Sequence, residues 1–279
     1  MIIAMQKTLR CSRSWLAAVL LLLAVPLSAQ LPEDPDAAKF KEPLTKTWIN
    51  TYGNIRLTDR FFWIAQTHFR FQQTENTPFA GQIAQVYNRH AISYLYSKYF
   101  RVSLGGVVRL NFNTNGVGEG ERRAVPEWRI WHEYQFAQPL ARLMLYHRIR
   151  LEHRWSQGFG AESEYIFRNR WRYMLRMKVP LNSYKLAPGT FYLAPETELI
   201  MQSGKAVVNS PLEDLRMTTT LGYIVNPRLT FAAGMMYSMG QDLTDGGIYK
   251  QNWTARVHMY FTPDFRKIKN KLPAIHRDE

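Results

Sequence analysis

Two stretches of this 279-residue chain concentrate side chains that could do chemistry. HRIRLEHRW, residues 147 to 155, packs His147, Arg148, Arg150, Glu152, His153 and Arg154 together, and FRNRWRYMLRMKV, residues 167 to 179, adds Arg168, Arg170, Arg172, Arg176 and Lys178. Rings of Arg and Lys in a wet pore favour anions, whereas the same arginines paired with glutamates would close an interior. A histidine beside a hydroxyl could serve acyl transfer. For His147 and His153 the serine at hand is Ser156, three residues beyond His153, and no His-x-Ser occurs in the chain. The seven histidines show no HExxH-type ligand spacing, and Glu152 and His153, adjacent in a strand, would point to opposite faces. No metal or cofactor is expected. The one cysteine, Cys11, precedes an apolar N-terminal run, so the mature chain is expected to lack disulfides, thiolate ligands and a cysteine nucleophile.

The period of the charges decides which elements carry them. In EYIFRNRWRYMLRMKV, residues 164 to 179, one parity holds Glu164, Arg168, Arg170, Arg172, Arg176 and Lys178, and the other holds Tyr165, Phe167, Trp171, Tyr173, Leu175 and Val179. At about 100° per residue a helix would scatter the basic set around its axis, whereas a strand gathers it on one face. The same alternation sets Arg142, Arg148, Arg150, Glu152 and Arg154 against Leu143, Leu145, Ile149 and Leu151. It sets Glu127, Arg129 and Glu133 against Trp128, Ile130 and Tyr134, and Arg101 and Arg109 against Val102, Leu104 and Val108. Glu196 and Glu198 join the polar set, while His132, His147 and His153 fall on the apolar parity.

Soluble strands average about 5 or 6 residues, whereas tilted membrane strands need about 9 to 11. The alternating segments are longer than the soluble norm: 47–57, 61–73, 82–96, 100–112, 123–136, 140–154, 164–180, 190–202, 213–225, 228–239 and 249–262. Lys7, Arg10 and Arg13 followed by WLAAVLLLLAVPL and SAQ read as a cleaved signal peptide over 1–29, too short to span a membrane. Long two-faced strands behind such a leader predict an all-β fold, an antiparallel transmembrane β-barrel of the outer membrane. The apolar face meets lipid and the charged face lines the lumen. The organisation expected is an N-terminal segment over 30–46, a barrel over 47–262 and a basic periplasmic tail over 263–279. Both termini on the periplasmic side require an even strand number. Twelve is therefore expected, with a strand hidden in 31–46, and ten is the alternative. The links TDR, SKY, AQP and NP are tight and assigned to the periplasm; TENTPFAG, NTNGVGEGER, SQGFGAES, SGKAVVNSPL and QDLTDGGI are longer and assigned outside.

The chain carries 36 Lys+Arg against 22 Asp+Glu. An exported chain without a recognition-helix, zinc or RNA-binding pattern does not suggest a nucleic-acid partner. Partners expected instead are outer-membrane lipid and lipopolysaccharide, the barrel-assembly machinery, towards which the ending ARVHMYF resembles an assembly signal, and a small anionic solute.

The stretches WINTYGNIRLTDRFFWIAQTHFRF, RHAISYLYSKYFRVSLGGVVR, PEWRIWHEYQF, LMLYHRIRLEHRW and FRNRWRYMLRMKVPLN resemble the outer-membrane barrel family catalogued as domain of unknown function 2490. The resemblance runs from about Trp48 to Phe261 and is most specific where HRxRLExR meets the arginine strand. It implies an outer-membrane β-barrel and no activity, substrate or catalytic residue. The function expected is a barrel with an arginine-rich lumen acting as a small anion-preferring channel. The alternatives are a structural barrel with a closed lumen, a membrane-embedded lipid hydrolase, and an assembly or adhesion component acting through its loops.

Overall fold

A computed structural model describes residues 39–207, 210–241 and 248–268. The signal peptide expected over 1–29, residues 30–38 and the tail beyond 268 lie outside the described residues. Among the described residues twelve strands follow one another without a helix: β1 (Lys39–Phe40), β2 (Leu44–Arg56), β3 (Phe61–Thr74), β4 (Thr77–Ser97), β5 (Phe100–Phe112), β6 (Ala124–Leu140), β7 (Leu143–Ser156), β8 (Ile166–Pro180), β9 (Phe191–Ser203), β10 (Leu212–Asn226), β11 (Leu229–Gln241) and β12 (Ile248–Phe261).

Neighbours from β2 to β12 pair antiparallel in chain order, and β12 then pairs with β2 to close the wall. That closing pair is parallel, from Asn252↔Leu44 to Phe261↔Gly53. The all-β barrel is as expected, and among the described residues its wall holds eleven long strands, between the ten and twelve expected and matching the eleven alternating segments. In an up-and-down wall an odd number makes the first and last strands run the same way, so their seam must be parallel. β1 is no twelfth wall position: it runs alongside the same edge of β12, pairing Lys39↔Ile248 and Phe40↔Tyr249.

The alternation turns each strand inside out relative to a soluble sheet. In β6, Glu127, Arg129, Trp131, Glu133 and Gln135 are buried while Trp128 and Ile130 are 49% and 53% exposed. Every long strand contributes to the outer apolar surface, among them Ile49, Ile92, Leu104, Trp171, Leu221 and Val257. Aromatic pairs mark both rims. Phe61–Tyr94, Phe100–Phe136 and Phe191–Tyr223 sit at one end, with centroids 5.1, 4.6 and 4.5 Å apart. Trp155–Phe167 and Tyr237–Trp253 sit at the other, 5.2 and 5.0 Å apart.

Connections 57–60, 98–99, 141–142, 181–190 and 227–228 share the first end. Connections 75–76, 113–123, 157–165, 204–211 and 242–247 share the second. One differs from the sequence reading, and one link that the reading left unassigned stands out. TENTPFAG is largely strand, because β3 and β4 continue to a tight turn at 75–76. Its turn-type residues sit in an irregular hairpin with register shifts and a positive φ of 64° at Phe79. Conversely, the link 181–190 is a long loop at the otherwise short-turn end. It packs Leu186 onto the inward-facing Tyr192, Ala194 and Ile224. Gly222 makes room for the Tyr192 ring, which a Cβ there would overlap.

Candidate functional site

The lumen has two unlike walls. On the β3–β6 side, Ile64, Tyr87, Ala91, Val107 and Trp131 form an apolar cluster. On the β6–β10 side the inward positions are ionic, because alternate residues there are Arg and Glu and a strand delivers every second residue to one face.

Each buried carboxylate serves several arginines. Glu127 accepts from Arg129 at 2.5 Å, from Arg154 at 3.1 Å and from Arg109. Glu152 bridges Arg129 and Arg172, both at 2.8 Å, and Arg170 at 3.4 Å. Glu133 holds Arg150 and lies 3.6 Å from Arg148. Glu198 joins Arg148 at 2.6 Å, Arg172 at 2.7 Å and Arg216 at 3.5 Å. Glu196 pairs with Arg176 at 2.5 Å and lies 3.7 Å from Arg256. Several links cross the lumen between strands that are not neighbours: Arg148 of β7 reaches Glu198 of β9, and Arg154 of β7 reaches Glu213 of β10 at 3.2 Å. Burying unpaired charge costs several kcal/mol per ion, so this sharing is what lets the centre fill with side chains.

Sharing does not balance the charge. Among the described residues, the buried ionic groups inside the wall are nine cations (Arg89, Arg101, Arg129, Arg148, Arg150, Arg154, Arg170, Arg176 and Lys178) against four carboxylates (Glu127, Glu133, Glu152 and Glu198). The excess is offset in part by aromatic faces. Arg150 lies 4.7 Å from the Trp131 ring centre, and Lys178 lies 4.9 Å from that of Tyr192. The Tyr87 hydroxyl accepts from Arg70, Arg109 and Arg129 at 3.3, 3.1 and 3.0 Å.

Most residues expected in the lumen meet there. Arg109, Arg168, Arg172 and Glu196 are half-buried beside the fully buried set. Arg142 and Glu164 do not join them, since one lies in the exposed 141–142 turn and the other in the exposed loop before β8. Sequence reading missed Arg70 and Arg89, which sit on the inward parity of β3 and β4 and were recoverable from it. It also missed Glu213, for which no alternation signal exists: a register shift between Leu212 and Asp214 turns it inward beside Asp214.

The histidines of the apolar parity lie on the outer surface. His147 bonds the Tyr173 hydroxyl at 2.8 Å, and His132 packs edge-on to Tyr134. His153 bonds Asn169 Oδ1 at 2.7 Å and stacks on Phe167. The hydroxyl once considered for it, Ser156, is at the strand end opposite Ile166.

At the short-turn end the chain after β12 folds back on the wall, where Asp264 bridges to Arg56. Arg266 donates to Asp264 at 2.7 Å and to Asp59 at 2.5 Å, and its hydrogen bonds hold the Asp264 carboxyl down to about 2.

No curated protein and no solved structure matches the chain. The family described as "Protein of unknown function (DUF2490)" matches residues 45–247, from the second residue of β2 to the threshold of β12. The matched span holds almost the entire wall and all of the shared carboxylates, and the chain belongs to that family.

Proposed function

We propose that the protein resides in the outer membrane as a barrel whose lumen is held shut by ion-paired side chains, a braced wall rather than an open pore. The outer apolar band, the aromatic rims and the leader-like N-terminus support the location. Exposed apolar surface on this scale is a liability in water and a requirement in lipid. Lipid and lipopolysaccharide would contact that band, and the barrel-assembly machinery would insert it. The observation that carries the closed lumen is the cross-strand bracing: Glu127, Glu133 and Glu152 are 0% exposed at the centre of an arginine network. Planar-bilayer recording tests it. The unaltered protein should show no sustained open level, and a stable ohmic pore would overturn the reading.

The cation excess favours a second reading, a narrow anion-preferring path for a small anionic solute. Under it, the barrel conducts with a chloride-side reversal potential across a salt gradient. Arg148→Glu with Arg170→Glu weakens or reverses that preference.

A further inference from the structure

Arg70 differs from the arginines around it. Its guanidinium carbon lies 3.8 Å from the ring centre of Trp48 and 4.2 Å from that of Tyr87. Nη1 donates to Gln85 Oε1 at 3.2 Å and to the Tyr87 hydroxyl at 3.3 Å, both neutral acceptors. Its Nε is buried with no acceptor. Arg256 is nearly as poorly served: it donates to Thr218 at 3.2 Å, its carboxylate neighbour Glu196 is 3.7 Å away, and its Nε is also buried without an acceptor. Arg148 presents a third such Nε, 3.6 Å from Glu133.

These three side chains line one cavity of about 50 Å³ with Trp48, Arg172 and Arg216. Nine arginines border it and two carboxylates, Glu196 and Glu198, face them. One water needs roughly 10–15 Å³ of such space, so the cavity has room for a few waters or one small polyatomic ion.

We propose that this cavity is a binding site for a single tetrahedral oxyanion of the phosphate or sulfate kind. Such an ion brings several acceptor oxygens to the three Nε donors that lack them, and its charge offsets Arg70, whose acceptors are neutral, and the excess of nine arginines over two carboxylates around the cavity. Guanidinium forks match oxyanion geometry better than a spherical halide does. The volume excludes a nucleotide or a lipid headgroup with its chains, so the source is a free ion. A separate, larger cavity of about 440 Å³ lies at the long-loop mouth, bordered by Arg109, Arg154 and Arg168. The inference goes beyond the closed-lumen reading and does not require conduction.

The test uses the barrel purified in detergent without phosphate or sulfate, with inorganic phosphate as the probe. Calorimetric titration should show one saturable site. Phosphate should raise the temperature of heat modification more than chloride does at equal ionic strength. Arg70→Met is the informative variant, because no carboxylate loses its partner and the fold should survive, as its heat-modifiable migration will report. It should bind phosphate about tenfold or more weakly, while Arg142→Met, in the exposed turn, should bind normally. Absence of saturable binding, equal stabilisation by chloride, or unchanged affinity in Arg70→Met overturns the site. A barrel that stays closed in bilayers yet binds no phosphate refutes this inference alone, and one that conducts yet binds phosphate refutes only the closed lumen.

Discussion

Arg129 Nη1 lies 2.8 Å from Glu152 Oε2, with the two side chains 1% and 0% exposed, so one carboxylate of β7 is committed to an arginine of β6 out of reach of solvent. Arg170 and Arg172 of β8 converge on the same carboxylate. Removing one partner of a buried ion pair costs about 3 to 5 kcal/mol, because the other is left charged and dry. Glu152→Gln should therefore lower barrel stability by that order, read as the urea midpoint of tryptophan fluorescence in detergent. Glu164→Gln, in an exposed loop, should stay within about 0.5 kcal/mol of the parent.

Leu104 separates lipid from water as the outer solvent. It is 61% exposed. In water Leu104→Arg should change stability by less than about 0.5 kcal/mol, but in a bilayer a mid-strand charge costs about 2 to 4 kcal/mol. We expect the larger loss for barrels refolded into vesicles. A neutral result there would remove the membrane reading.

Parallel closure puts the start of β2 and the end of β12 at opposite ends of the wall. If the short-turn end is periplasmic, single cysteines replacing Glu42 and Asn115 should react with an impermeant maleimide on intact cells, and one replacing Lys267 only after permeabilisation. Equal reactivity at 42 and 267 would contradict the seam.

The clamp at the tail should respond to acid. Hydrogen bonds from Arg266 hold the Asp264 carboxyl down to about 2, below the ordinary aspartate value of about 3.9. A depressed carboxylate stabilises fully above its unfolded value and loses that contribution as pH falls through its folded one. A spin label at 267 should thus stay immobile from neutral pH to about 4 and loosen as pH falls toward 2. Asp264→Asn should loosen it at every pH.

The inward and outward faces were legible because a period of two survives in sequence wherever one side is apolar and the other carries charge. Arg101, Arg129, Arg150 and Lys178 fall where alternation puts them. The eleven wall strands were legible as eleven alternating segments; the way the wall closes was not. Antiparallel hairpins leave turn residues between their strands, but the β2–β12 pair joins segments with no shared turn, and placing both termini on one side then forced an even number. Glu213 was invisible for a related reason, since a bulge breaks the alternation by which an inward residue is recognised. The packing of Leu186 was missed because LNSYKLAPG reads as any loop until one of its two leucines is placed against Tyr192, Ala194 and Ile224.

The seam also sets an order of assembly. Asn50 Nδ2 and His258 Nδ1 meet across it at 3.3 Å although 208 residues separate them. Every other neighbouring pair of long strands is a local hairpin, which closes a short loop and forms early; the seam closes the longest loop in the wall and must come last. A chain still lacking β12 is a curved sheet with two bare edges, each a row of unpaired backbone donors and acceptors. Loss of the final strand should therefore yield no smaller barrel but an open sheet that recruits other copies of itself, and stalling during insertion should be most damaging over the last stretch to be delivered.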